Sequence, residues 1–246
     1  MNMLETRGLT KRFGGLTAVD NVTFQVAQGE LRSIIGPNGA GKTTFFNLIA
    51  GRLPPTEGEI WFKGENITHI PPYQITKKGI GRSYQVTNIF PKLTVFENVR
   101  LAAQAVEVTY NFWKDVMTME KMNGKVSEIL RRLRLIDLKD VRSQNLPHGM
   151  QRHLEIAIAM ASDPELLLLD EPTAGMTQDE TARMMDLIDE ISEDLTIILV
   201  EHDMKFVMSV SKKITVLHDG RVLAEGSPEE IRSNEEVQRV YLGKQA

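Results

Sequence analysis

The sequence predicts an α/β protein built around a parallel sheet, and three observations carry that expectation. Segments that read as strands, Leu31 to Ile35, Leu166 to Leu169 and Thr196 to Val200, alternate with segments of helical period, an order that sets strands in parallel with helices between them. The first run feeds directly into a glycine-rich loop and then a segment of helical length. Composition completes the argument: 41% hydrophobic and 25% charged residues are the proportions of an ordinary globular chain. Its 246 residues, against a prior of roughly 150 per domain, imply one large domain with an inserted subdomain.

Each element has its own signal. Val22, Phe24 and Val26 alternate with polar residues, the period of a half-buried strand, before Gly29 breaks the pattern. Gly58 to Phe62, with Gly64 behind it, reads as a further strand, so the opening third is rich in β structure. Between these lies Gly36 to Thr44, then Phe45, Phe46, Leu48 and Ile49, a helix that stops at Gly51. From Glu97 to about Leu138 the chain turns helical: Val126, Ile129, Leu130 and Leu133 fall on one stripe, with basic residues opposite. A helix from about Gln178 to Glu193 opens on a Thr177/Glu180 capping box and buries Met184, Leu187, Ile188 and Ile191. Asp219-Gly220 between Ile214 to Leu217 and Val222 to Ala224 predicts a hairpin. Ser227-Pro228-Glu229-Glu230 then starts a final helix with cap, proline and acid in register.

Composition removes several function classes. The absence of cysteine excludes disulfide scaffolds, thiol catalysis and cysteine-ligated metals. A net charge of −4 argues against nucleic acid as a partner drawn by the overall field. The first residues carry no apolar stretch of signal-peptide length, and no run approaches the roughly 20 residues that span a bilayer. Any membrane role is therefore expected to come through a partner.

The chemistry concentrates in three places. Gly36-Pro37-Asn38-Gly39-Ala40-Gly41-Lys42-Thr43 matches G-x-x-x-x-G-K-[ST], in which glycines let backbone N–H groups wrap phosphates, the lysine adds a point charge and the threonine hydroxyl serves Mg²⁺. Leu166 to Leu169 ends in Asp170-Glu171, where the first acid suits Mg²⁺ and the second suits a water, although paired acids also serve as dipole partners at helix starts. Position favours the ligand reading, because Gly36, Asp170 and His202 each follow an apolar strand, and open parallel sheets bind ligands beyond strand carboxyl ends. His202 by itself reads as a surface histidine; placed after Thr196 to Val200, it suits a γ-phosphate or the attacking water.

In order and approximate spacing these motifs resemble the ATP-binding subunit of ABC transporters, over essentially the whole chain. The resemblance implies a P-loop NTPase fold of ABC ATPase type across residues 1–246, with an antiparallel β subdomain and a helical subdomain inserted at 97–150. It implies ATP held by Gly36 to Thr44, with Phe13 stacked on adenine, and Mg²⁺ held by Thr43, Gln85 and Asp170. It makes Glu171, His202 and Gln85 catalytic. Read alone, Gln85 is equally a loop amide and Phe13 a core aromatic. The signature segment falls at Leu146-Pro147-His148-Gly149-Met150, where Pro147 and Met150 lack the serine hydroxyl and glutamine amide of the family pattern. Gly149 retains an N–H at a helix start, suited to a γ-phosphate across a dimer interface. Met176-Thr177-Gln178 departs from the family's D-loop as well.

Ile80 to Gln85, Glu171 to Met176, Glu201 to Met204 and Tyr241-Leu242-Gly243 are similar to the larger ATPase of branched-chain amino-acid importers. The resemblance implies integral-membrane subunits as partners, contacted through Val86, Ile89, Phe90 and Pro91, and a second ATPase subunit forming a homo- or heterodimer. It also implies a solute-binding protein if the system imports, and a peripheral location on the cytoplasmic face of the cell membrane. The rival expectations are lipopolysaccharide-export and urea-type ATPases, and a soluble ABC ATPase of translation or DNA repair. That last class usually carries two ATPase domains or a long coiled coil, which 246 residues do not accommodate.

Overall fold

A computed structural model describes residues 2–83, 89–107 and 116–242. These group into two compact units, one formed by residues up to Ile75 together with those from Ile188 onward, the other by Thr76 to Leu187.

In the first unit, β1 (Asn2–Phe13) and β2 (Leu16–Ala27) form an antiparallel pair, and β4 (Glu57–Phe62) and the two-residue β5 (Glu65–Asn66) extend it in the order β2-β1-β4-β5. Register places Leu4 opposite both Val26 and Phe62, and Thr6 opposite Phe24 and Ile60. The inward face of this layer is therefore continuous and largely apolar, with the buried Thr6 hydroxyl satisfied by donating to the Val22 carbonyl at 3.0 Å. Phe24 carries it onto α1 (Lys42–Ile49) through an edge-to-face contact with Phe45, ring centroids 5.3 Å apart.

The same unit holds β3 (Leu31–Ile35), β8 (Thr196–Val200), β9 (Lys213–His218) and β10 (Arg221–Gly226). β3 runs parallel to β8, Ile34 opposite Val200, and parallel to β9, Ile35 opposite Val216. Every residue of β3 and β8 is buried, which is why neither shows the apolar/polar alternation of a half-exposed strand, and the buried Ser33 of β3 is paired with the Ser211 hydroxyl. Arg32 is the exception in kind; its buried guanidinium is held by Glu30 at 2.6 Å and Glu225 at 2.9 Å. Beyond Asp219-Gly220, both at positive φ, β10 returns against β9. Ser227 caps α8 (Pro228–Ser233) with a full capping box, and Asn234 separates it from α9 (Glu235–Leu242).

In the second unit, β6 (Ile80–Arg82) lies parallel to β7 (Leu166–Asp170), Arg82 opposite Leu168. The helices α3 (Val95–Glu107), α4 (Val116–Arg132) and α5 (His148–Met160) pack together, α3 against both others. α3 starts on a Thr94/Glu97 capping box, and the stripe Val126, Ile129, Leu130 and Leu133 is buried as its spacing requires. α6 (Gln178–Ser192), whose residues from Ile188 onward belong to the first unit, opens on the expected Thr177/Glu180 box, and Met184, Leu187, Ile188 and Ile191 are fully buried. The described residues also form the short α2 (Pro72–Lys77), two 3₁₀ turns at Ile136–Leu138 and Ser143–Asn145, and, in the first unit, α7 (Met204–Val210). No helix of the described residues is long and apolar enough to cross a membrane.

Candidate functional site

The glycine loop leaves β3 at Gly36 and enters α1 after Gly41. Two glycines are required by close approach: a Cβ on Gly36 would stand 2.2 Å from the Leu217 carbonyl oxygen, and one on Gly41 2.3 Å from that of Ala18. Gly41 also takes φ of +96°, a conformation costly for other residues. It ends the loop as the cap of α1 with no side chain bonded to the helix start and no acid in the first turn. A helix start of this kind is suited to an anion. Lys42 is 8% exposed; its Nζ donates to the carbonyls of Gly36 at 2.6 Å and Pro37 at 3.0 Å. Pro37, Thr44 and the buried Ala40 shape the loop wall, whereas Asn38, Gly39 and Thr43 are exposed.

Two further expected residues belong to the same unit. His202 follows β8, the parallel neighbour of β3, so it and Gly36 leave adjacent strands at the same end. Its imidazole is 65% exposed, and its backbone N–H donates to Oε2 of Glu201, a completely buried carboxylate, at 3.0 Å. Asp203 next to it caps α7 by accepting from the N–H groups of Lys205 and Phe206, which fixes where the helix begins. Phe13 ends β1 and is 45% exposed, with Lys11 Nζ 5.2 Å from its ring centre. It thus presents a ring face at the surface and takes no part in the buried core.

In the second unit, Asp170 ends β7 at 3% exposure and is paired at 3.1 Å with the guanidinium of Arg82, from the end of β6. A buried carboxylate needs such compensation. Glu171 follows with φ of +48°. For a non-glycine residue that backbone costs roughly 1–2 kcal/mol, and strain of this kind collects where a side chain must be aimed. Gln85 lies outside the described residues, as do Val86 and Gly243. Phe90 is 54% exposed, and the buried Asn98 pins its backbone from both sides, accepting its N–H at 2.8 Å and donating to its carbonyl at 3.2 Å.

The degenerate signature coincides with the start of α5. Pro147 is the cap residue and supplies no side-chain bond; His148 is exposed, and Gly149 is buried. A Cβ on Gly149 would stand 2.7 Å from Oε1 of Glu180. Thr177 is the principal cause that holds the Glu180 carboxyl below its ordinary pKa, through backbone and hydroxyl hydrogen bonds, with a smaller contribution from the Gly149 N–H. Sequence reading identified Glu180 as a helix cap and missed this second role. It missed Arg82 and Glu201 too, since nothing local in the sequence tells that either would be buried beside a candidate residue.

Comparison with known proteins places these features in context. The family model described as "ABC transporter" matches residues 19–174, and one described as "Branched-chain amino acid ATP-binding cassette transporter" matches residues 221–246. The High-affinity branched-chain amino acid transport ATP-binding protein LivG of Salmonella typhimurium is 41% identical, over 98% of each chain. The Lipopolysaccharide export system ATP-binding protein LptB of Escherichia coli is 31% identical, over 99% of this chain and 98% of its own. Among solved structures, a nucleotide-free ATP-binding cassette from an ABC transporter superposes with a TM-score of 0.86 at 30% identity, covering 98% of this chain and 99% of the other.

Proposed function

The chain belongs to the ABC transporter ATP-binding family, and on that premise we propose that it is the ATP-hydrolysing subunit of a branched-chain amino-acid importer. That it is an ATPase follows from the family. The solute is the proposal, and the observation that carries it is the full-length likeness to a branched-chain amino-acid transport protein at 41% identity, against 31% for the lipopolysaccharide exporter's ATPase.

The residues divide the chemistry as follows. Amides of the Gly36 to Thr44 loop and Lys42 hold the phosphates, and Phe13 offers its exposed face to adenine. Glu171 orients and deprotonates the attacking water, His202 contacts the γ-phosphate, and Gln85 joins them. Mg²⁺, when bound, neutralises charge on the phosphate oxygens. The donor chemistry fits it: Thr43 and the buried carboxylate of Asp170 offer hard oxygens, and substrate phosphates and water would complete the set such an ion takes. Because Pro147 and Met150 bring no side-chain donor to the signature, the natural complement is a second, non-identical ATPase subunit with an intact one. Integral-membrane subunits dock near Ile89, Phe90 and Pro91, which places the chain peripherally on the cytoplasmic face of the cell membrane, with a solute-binding protein on the other side.

Purification with the neighbouring membrane subunits, reconstitution into vesicles and assay of ATP-dependent uptake test this reading. Leucine, isoleucine or valine should accumulate and stimulate ATP hydrolysis. Extraction of lipopolysaccharide instead, with no amino-acid uptake, would move the chain to the export branch.

A further inference from the structure

One side chain of α9 has no part in these roles. The ring of Tyr241 packs against the cluster of Ile35, Val207, Ile214, Val216, Ile231 and Val237, while its hydroxyl is buried and makes no hydrogen bond among the described residues. Buried hydroxyls are ordinarily paired. Ile35 is the last residue of β3, so this cluster is the floor on which the phosphate loop begins. Burial pushes the phenol's pKa up to about 12, and the backbone of Gly36 acts in the opposite direction. The cluster includes Ile35, which is covalently joined to Gly36, so the Gly36 N–H lies at the edge of the surface on which Tyr241 packs, and it closes no hydrogen bond with the phenol.

Gly36 is also the point where the loop is most constrained. Leu217 and Ala40 leave it no room for a side chain, and its carbonyl is held by Lys42 Nζ at 2.6 Å. That lysine is the cation the phosphates would claim. When Lys42 turns to them, the Gly36 carbonyl loses its donor and the backbone there is released to shift.

We propose that Tyr241 is a positioning residue for the phosphate loop: its hydroxyl, set by α9, accepts the Gly36 N–H when Lys42 leaves the Gly36 carbonyl for phosphate, so that the C-terminal helix tightens nucleotide binding. The inference rests on the reading that phosphates bind at Gly36 to Thr43. It assigns α9 a direct influence on the start of the phosphate loop, far earlier in the sequence.

Tyr241→Phe tests it, because the substitution keeps the ring in its cluster and removes only the oxygen. A hydroxyl that is merely unpartnered would be lost at no cost or with a gain in stability, and nucleotide affinity would not change. A positioning hydroxyl instead raises the Kd for ADP and the KM for ATP by about 3- to 10-fold, the size of one neutral hydrogen bond, with kcat within about twofold of the parent. Hydrogen exchange at the Gly36 amide of the ADP-bound protein should quicken by a similar factor. Unchanged Kd and unchanged Gly36 exchange overturn the proposal. Lys42→Ala, titrated alongside, separates the two layers: if it still binds ADP at the parent affinity, the phosphate-loop reading has failed, whereas its loss of binding beside an unaffected Tyr241→Phe sinks only the role of Tyr241.

Discussion

The starts of α1 and α5 pose the same physical problem and answer it differently. Each helix leaves N–H groups without intrahelical acceptors, together with the positive end of a dipole. At α1 the cap is Gly41, with no side-chain bond and no acid in the first turn, and Lys42 adds a cation. At α5 the cap is Pro147, again without a side-chain bond, but Glu180 brings a carboxylate to Gly149 from outside the helix. One helix start has no acid in its first turn; the other is supplied with an anion by the chain itself. Glycine amides at a helix start are thus insufficient to define a phosphate site, and the acids within reach decide.

The largest expected effect lies with Glu171. Glu171→Gln should leave ATP bound and lower turnover by at least about a hundredfold, the usual minimum for a positioned acid–base group. A single-turnover assay reads it, and hydrolysis at the parent rate would remove Glu171 from the chemistry. Next is the weak half of the comparison. Pro147→Ser with Met150→Gln should raise the ATPase rate of the isolated chain by up to roughly 10²-fold, given that one preorganised donor is typically worth about 10² to 10³. No gain would mean that missing side-chain donors at Pro147 and Met150 are not what weakens the signature.

Lys42→Ala attacks the strong half. Loss of a charge-assisted contact is worth about 1.5–3 kcal/mol, or roughly 10- to 150-fold in nucleotide affinity; titration with a non-hydrolysable ATP analogue measures it, and unchanged affinity would place the phosphates elsewhere. Phe13→Ala should weaken binding by up to roughly 1–3 kcal/mol, as for base–aromatic stacking, with the preference for adenine over guanine barely altered because a π face reads no base edge. Competition between ATP and GTP decides this one: a large change in their ratio would contradict simple stacking.

Much of this architecture was legible because strong local signals sufficed. The buried runs β3 and β8 have the bounds their apolar stretches predicted. The boxes at Thr177 and Ser227 set the starts of α6 and α8. β1 was missed, since register shifts between Thr6 and Leu9, and again before Lys11, interrupt its alternation. The three residues of β6 and the seven of α7 are too short to carry a period, and their existence depends on what they pack against. The site divides in the same way. Motif spacing picked out Gly36 to Thr43, which does join β3 to α1, and the two acids where β7 ends, whereas Arg82 pairs with Asp170 across 88 residues, and Glu180 and Tyr241 meet glycines far from them in the chain. Such contacts are products of the fold, and no local pattern announces them.

The central claim, that one chain combines a competent phosphate loop with a weakened signature, is tested most directly in the assembled transporter with its second ATPase subunit. The measurement is the ATPase rate of an assembly carrying Glu171→Gln in this chain alone, set against one carrying the equivalent glutamate change in the partner alone. This chain's loop would work with the partner's intact signature, while the partner's loop would meet Gly149 without side-chain donors. The account predicts near-abolition of activity in the first assembly and a much smaller loss in the second. Equal losses in the two would contradict it.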